Sequence, residues 1–195
     1  MGTTKYLKQV EEFFQKSPVV DVNSISRIMN NKKKVKQYNK QLIRNLVLKG
    51  RIKRLTKGFY TTHDDPSLAV FCFSPAYLGL QDALSLHNLW EQETIPVIIT
   101  AKRIRPGIRK ILGANVLIRR VNKKYLFGSV ILKQGDFYFP YSDIEKTFID
   151  MIYFKERLSK EAITEIRKKV NVKKLNKYLE NYPKRIKKII FNLLK

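Results

Sequence analysis

The first part of the chain carries the punctuation that most restricts the fold. Ser17-Pro18, Asn30-Asn31 and Gly50 separate three segments whose apolar residues recur at helical spacing, and two β-prone runs then meet across Thr56-Lys57-Gly58. Thr3 or Thr4 can cap the first segment, whose stripe is Leu7, Val10 and Phe14 with Tyr6 and Phe13 beside it. A hydroxyl there accepts from the free N–H groups of the first turn. Asp21 or Asn23 can cap the second segment, which contains Ile25, Ile28 and Met29 and which Asn30-Asn31 ends. The third runs from about Lys33 to Lys49 with Val35, Tyr38, Leu42 and Leu46 as core positions. Gly50 is its natural stop, because glycine takes the left-handed conformation that closes a helix at little cost. Residues 52–55 and 59–61 read as the two strands of a hairpin.

Three short helices followed by a two-stranded hairpin is the order of a winged helix-turn-helix. In that fold the third helix enters the major groove of DNA and the hairpin touches the neighbouring backbone. With Leu42 at the core pole of the third helix, the opposite face collects Lys33, Gln37, Lys40 and Arg44, flanked by Lys36 and Gln41. Cations there suit phosphates and guanine edges, and glutamine pairs with adenine in bidentate fashion. Any exposed helix face is polar, but a solvated one mixes signs, and no carboxylate occurs from Lys32 to Lys57. The hairpin adds Arg51, Lys53, Arg54 and Lys57, which protect a strand edge and equally suit phosphate. These ten residues form the expected DNA-binding set.

Charge supports the same reading. The 195 residues hold 40 Lys+Arg against 16 Asp+Glu, a net charge of +24. Such a chain repels itself and attracts polyanions, nucleic acid first, then a membrane surface or an acidic protein. Thermophile enrichment would add glutamate along with lysine, and it has not. Residues 1–62 carry net +12, residues 63–154 only +2, and residues 155–195 net +10. A genome-wide bias would spread charge more evenly.

His63-Asp64-Asp65-Pro66-Ser67 is the best boundary, so the expected domains are residues 1–62 and 68–195. In the second, Leu68–Phe73 reads as a β-prone run and Gly79–Leu89 as a helix. Ile95–Thr100, Asn115–Val121, Ser129–Lys133 and Phe137–Tyr141 read as strands. Ser142 or Asp143 caps a helix reaching Phe154, and further helices follow over Ser159–Val170, Val172–Leu179 and from Pro183, a residue suited to a first helical position. In the last helix Ile186, Ile189, Ile190 and Leu193 form the buried stripe. Lys184, Lys187 and Lys188 lie outward, a candidate second basic surface. The expected fold class is α+β, an N-terminal winged helix-turn-helix followed by a domain with a small sheet and C-terminal helices.

Catalytic and metal motifs are missing from the sequence. Two histidines and one cysteine, Cys72, exclude an ordinary Cys/His zinc site and an intrachain disulfide. His63-Asp64-Asp65 reads as a solvated turn and His87 as a satisfied core histidine. The eight glycines never take a phosphate-loop or dinucleotide-binding spacing, and no Gly-x-Ser-x-Gly elbow occurs. Asp136, Asp143, Glu145 and Lys146 come nearest to a metal-nuclease set, but the last three read better as a first helical turn. No apolar run reaches membrane-span length, the N-terminus lacks a signal-peptide core, and Tyr6 breaks the myristoylation pattern. The expectation is a cytoplasmic protein, not an enzyme, with no metal or cofactor.

The order of motifs carries a resemblance. Leu48-x-x-x-Ile52-x-Arg54-x-x-x-Gly58-x-Tyr60 closes the hairpin. Next come Ser74-Pro75-Ala76-Tyr77-Leu78-Gly79-Leu80-Gln81-Asp82-Ala83-Leu84-Ser85-Leu86-His87-Asn88-Leu89 and Pro96-Val97-Ile98-Ile99-Thr100, then Ile144-Glu145-Lys146-Thr147-Phe148-Ile149-Asp150. Over nearly its whole length the sequence resembles the AbiEi-type antitoxin and transcriptional-regulator family of type IV toxin–antitoxin systems. The resemblance implies an N-terminal winged helix that binds operator repeats in double-stranded DNA and represses its own operon. It also implies a second domain that counters a nucleotidyltransferase-type toxin without a stable complex. It places Lys33, Gln37, Lys40 and Arg44 on the recognition helix and Lys53, Arg54 and Lys57 on the wing. His87 and Asp150 become packing or capping residues. The alternative is a stand-alone winged-helix nucleic-acid-binding protein with no toxin partner.

Overall fold

The computed structural model describes residues 3–28 and 33–195, with side chains from Leu7 to Arg27 and from Asn39 onward. Met29, Asn30 and Asn31 of the second segment, and the side chains of Val35 and Tyr38, lie outside the described residues. The fold is α+β, and the chain divides into two units. One runs up to Cys72 and includes residues 110–114; the other contains 73–109 and 115–195.

In the first unit, helices α1 (Thr3–Lys16), α2 (Val22–Ile28) and α3 (Lys33–Leu48) precede the antiparallel strands β2 (Lys53–Thr56) and β3 (Phe59–Thr61). A two-residue strand β1 (Val20–Asp21) pairs with β3 on its other side, Val20 opposite Tyr60, making a three-stranded sheet. Asp21 caps α2: its Oδ1 accepts from the backbone N–H of Asn23 at 2.7 Å and of Ser24 at 3.1 Å. Burial alone would raise this carboxyl, but the Ser24 hydroxyl and these N–H groups outweigh it and hold the pKa below its ordinary value. Gly50, at φ +67°, follows the end of α3, and the hairpin turns at Gly58, whose φ of +85° favours glycine. Val10, Phe14, Val20, Ile25, Ile43, Leu46 and Ile52 form the core.

That core corrects the expected helix pole. Ile43, not Leu42, is the buried neighbour of Leu46, and the buried Asn39 donates from Nδ2 to Ser26 Oγ at 3.1 Å, tying α3 to α2. The run 68–73 is a second correction. Residues 66–68 form a 3-10 turn and Ala69–Cys72 one turn of helix, α4, in place of a strand. Asp65 accepts from the Ser67 N–H and Pro66 occupies the first helical positions, so local capping overrides β-prone composition.

The six-stranded mixed sheet has the order β6-β7-β5-β4-β9-β8. Its strands are β4 (Ala76–Leu78), β5 (Val97–Thr100), β6 (Gly107–Ile111), β7 (Ala114–Arg120), β8 (Ser129–Gln134) and β9 (Phe137–Ser142). The β5 strand runs parallel to β7 with Thr100 opposite Arg120, and β8 and β9 form a hairpin with Ser129 opposite Ser142. Strands β1, β4 and β6 go beyond the sequence expectation. Helix α5 spans Gln81–Leu86, shorter than the run expected there, and α6 (Ile144–Tyr153), α7 (Lys160–Lys169), α8 (Val172–Leu179) and α9 (Lys184–Leu194) follow the sheet. Phe148, Ile149, Ile166, Leu175, Leu179 and Ile190 from these helices pack with Tyr77, Leu84, Val97 and Ile99. In α9, Ile190 is buried and Ile186 and Leu193 partly so, but Ile189 is 36% exposed, a correction to the expected stripe. Pro183 precedes the helix as its cap, and Lys184 is the first helical residue.

Candidate nucleic-acid interface

Four of the ten expected residues meet in one place. Lys40 and Arg44 from α3, and Arg54 and Lys57 from the hairpin, line a groove of about 460 Å³ with Val22, Ile43, Val47, Leu48, Gly58 and Tyr60. The rotation of α3 that buries Ile43 turns Lys40 and Arg44 towards this groove. All four cations are exposed. The Arg54 Nε donates to the Thr56 carbonyl at 3.2 Å, which fixes its guanidinium against its own strand. Leu48 is 73% exposed at the groove's rim. Among the described residues no carboxylate lines the groove, so these cations can meet an anionic surface without a competing acid there.

The other hairpin cations are committed elsewhere. Arg51 Nη1 lies 2.5 Å from Glu11 Oε1, and Lys53 is paired with Asp64. Gln41 donates from Nε2 to Asn45 Oδ1 at 3.2 Å and lines a separate groove with Leu7, Leu42, Lys49 and Arg51. Lys33, Lys36 and Gln37 belong to α3, but their side chains lie outside the described residues. On α9, Lys184 and Lys188 are exposed and Lys187 is half-buried.

Of the carboxylates considered for metal chemistry, Asp136 is exposed in the β8–β9 turn, and Asp143 and Glu145 hold structural contacts. Asp143 caps α6, accepting from the Lys146 N–H at 2.8 Å, and also accepts from the Tyr178 hydroxyl at 2.8 Å. Lys174 Nζ lies 3.0 Å from Asp143 and 2.9 Å from Glu145, whose other oxygen accepts from the Asn171 N–H at 2.8 Å. Burial and the Asp143 bond push the Tyr178 hydroxyl up to about 12. This lattice pins α8 to the start of α6. Gly128, at φ +71°, makes room for it, since a Cβ there would lie 2.9 Å from both Lys146 Cβ and the Tyr178 ring. Among the described residues no group of three His, Cys, Asp or Glu side chains could hold a metal ion. Sequence reasoning missed the pair behind this lattice. Lys146 and Asp150, both fully buried, form an ion pair, and the Tyr77 hydroxyl donates to Asp150 at 2.7 Å. His87 is half-buried with Nε2 2.8 Å from the Ser142 carbonyl oxygen.

Glu145 gives this lattice a pH signature. Burial would raise its carboxyl, but the Asn171 N–H and the Lys174 ammonium hold it below the ordinary 4.5. A depressed carboxyl stabilises the fold above its unfolded pKa, and that contribution is lost as pH falls through the native value. The thermal midpoint of the protein should therefore exceed that of Glu145→Gln near neutrality, with the gap closing on titration towards pH 3. A gap that stays constant with pH contradicts the assignment.

Among the described residues no helix is long and apolar enough to cross a membrane. No family model matches the chain, and no curated protein matches it. Among solved structures the chain is similar to the RV2827C protein from Mycobacterium tuberculosis, at 12% identity with a TM-score of 0.63 over 97% of this chain and 76% of that one, a likeness of fold.

Proposed function

We propose that the first unit is a winged helix-turn-helix that binds duplex DNA through α3 and the β2–β3 hairpin, and that the protein is a DNA-binding transcriptional regulator. The observation that carries this reading is the groove in which Lys40, Arg44, Arg54 and Lys57 converge without a carboxylate. Helix cations suit base edges and phosphates, while hairpin cations suit the flanking backbone. The sequence resemblance extends the proposal to repression of its own operon and to countering a nucleotidyltransferase-type toxin. The exposed Lys184 and Lys188, with Lys187, belong to the same proposal as a second basic surface.

Two single substitutions separate the roles. Arg44→Ala relaxes base preference at one position of the site, by about 1–3 kcal/mol for a good base contact. Lys57→Ala weakens all sequences alike and lowers the salt slope by roughly one. Selection of binding sites from a random duplex library reads both. If the two variants change affinity and preference identically, α3 is not the reading helix.

A further inference from the structure

The net charge of +2 over residues 63–154 conceals a second concentration of cations. Residues 94–135 contain ten Lys+Arg and no Asp or Glu, because the acids of this segment fall on either side of it. Five of those ten are arginine, against twelve arginines among the 40 cations of the whole chain. Lysine-rich composition does not account for arginines gathered in one stretch. Arginine presents a planar fork that matches phosphate oxygens in bidentate fashion and holds its charge in any setting.

The sheet brings these cations to one end. Because β5 and β7 are parallel, Thr100 and Arg120 finish side by side, and the Val121 N–H continues the ladder to the Thr100 carbonyl at 3.0 Å. The β6 strand lies beyond β7. The loop 101–106 must therefore cross the end of β7, about 10 Å from one strand to the next but one, and carries Arg103 and Arg105 past Arg120. The loop is anchored at both ends. The Lys102 N–H donates to Thr100 Oγ1 at 3.1 Å, and Arg109 Nη2 donates to the Arg105 carbonyl at 2.9 Å. After β7 the chain makes a 3-10 turn over Lys123–Tyr125, capped by Asn122, whose Oδ1 accepts from the Lys124 N–H at 3.1 Å. Arg103, Arg105, Arg120, Lys123 and Lys124 are all exposed. Arg119 is excluded from the set because it pairs with Glu156. Glu91 and Glu93 precede β5 and so belong to its opposite end.

We propose that this end of the sheet, built from Arg103, Arg105, Arg120, Lys123 and Lys124, binds the phosphodiester backbone of nucleic acid. Hydrogen bonds anchor the loop and the turn that carry these residues, so little ordering of the backbone is needed on binding, and the arginine forks match phosphate oxygens. The set shares no residue with the α3 groove, so under the two proposals the chain has two nucleic-acid contacts made of different residues.

The test uses the full-length chain with Arg103→Gln, Arg105→Gln and Arg120→Gln combined. Binding is measured over a salt series against three probes: a random-sequence duplex DNA, a folded RNA hairpin and polyglutamate. Each phosphate contact contributes roughly 0.9 to the slope of log K against log salt on duplex DNA, so losing three should lower it by roughly two to three. That drop on DNA or on RNA supports the surface and identifies which backbone it takes. A second variant, Lys123→Gln with Lys124→Gln, probes the same surface from the neighbouring turn should the first fold poorly. Unchanged slopes on both nucleic acids in a folded variant overturn the proposal, as does a loss confined to polyglutamate, which assigns the surface to an acidic protein. Lys57→Ala run in parallel, expected to weaken every sequence alike, keeps the two sites distinct: if it leaves duplex binding and its salt slope unchanged while the sheet-end variant lowers the slope, the hairpin reading fails and this one stands.

Discussion

Duplex DNA affinity is expected to fall by about 10³-fold or more between 50 and 200 mM salt, the loss that goes with roughly 6–10 neutralised phosphates. Under the proposal, part of that number comes from Lys40, Arg44, Arg54 and Lys57, which line one groove. The charge of the first 62 residues, 15 basic against 3 acidic, supplies the surrounding field. Arg51 and Lys53 contribute less, because Glu11 and Asp64 already hold them. Removing Glu11 as Glu11→Gln should release Arg51 and steepen the salt dependence slightly. A slope equivalent to one or two contacts would show that the net charge of +24 is dispersed solvation and not a footprint.

Asp150→Ala is expected to destabilise the second unit by about 3–5 kcal/mol, the usual cost of leaving one member of a buried ion pair alone. Lys146 and Asp150 are both without solvent contact. Burial pushes the Asp150 carboxyl up and the Lys146 ammonium down, so desolvation outweighs their mutual attraction in each. The pair is therefore costly to break rather than strongly stabilising in itself. Lys146 Nζ also faces the rings of Tyr77, Phe127 and Tyr182 at 5.4, 5.5 and 5.8 Å, which gives the cation some compensation that an anion lacks. Replacing the whole set with apolar residues, Lys146→Met with Asp150→Leu and Tyr77→Phe, should recover most of the loss. Thermal unfolding of the single and triple variants reads this. A triple variant no more stable than Asp150→Ala would mean that the pair contributes net stability.

Much of the architecture was legible because local signals agreed with the tertiary ones. The three N-terminal helices, the β2–β3 and β8–β9 hairpins and the C-terminal helices α6 to α9 stand at or near the expected positions. Their stripes, caps and glycine turns all point the same way. The misreadings came from places where a polar residue does a core residue's work or a local cap beats composition. Asn39 is buried in α3, where its Nδ2 donates to Ser26 Oγ, and no periodicity of apolar residues could register that rotation. Asp65 and Pro66 start a helical turn just before a run that holds Val70, Phe71 and Phe73. The β6 strand went unread because Ile108 is exposed and the adjacent Arg109 and Lys110 break the alternation of apolar and polar residues. Sequence spacing named four residues that line the candidate groove, Lys40, Arg44, Arg54 and Lys57, together with others that do not. It could not divide them, because the partners that remove Arg51 and Lys53 lie 40 and 11 residues away in the chain.

The sharpest measurement is a hydroxyl-radical protection footprint on the protein's own promoter, made with the wild-type chain and with Lys40→Ala, Arg44→Ala, Arg54→Ala and Lys57→Ala combined. If α3 and the hairpin form the DNA interface, the wild-type chain protects a discrete site, and the quadruple variant, still folded by thermal unfolding, leaves it unprotected at the same concentration and salt. An identical footprint from the folded quadruple variant would contradict that placement of the interface, and no footprint from either chain would contradict autoregulation itself.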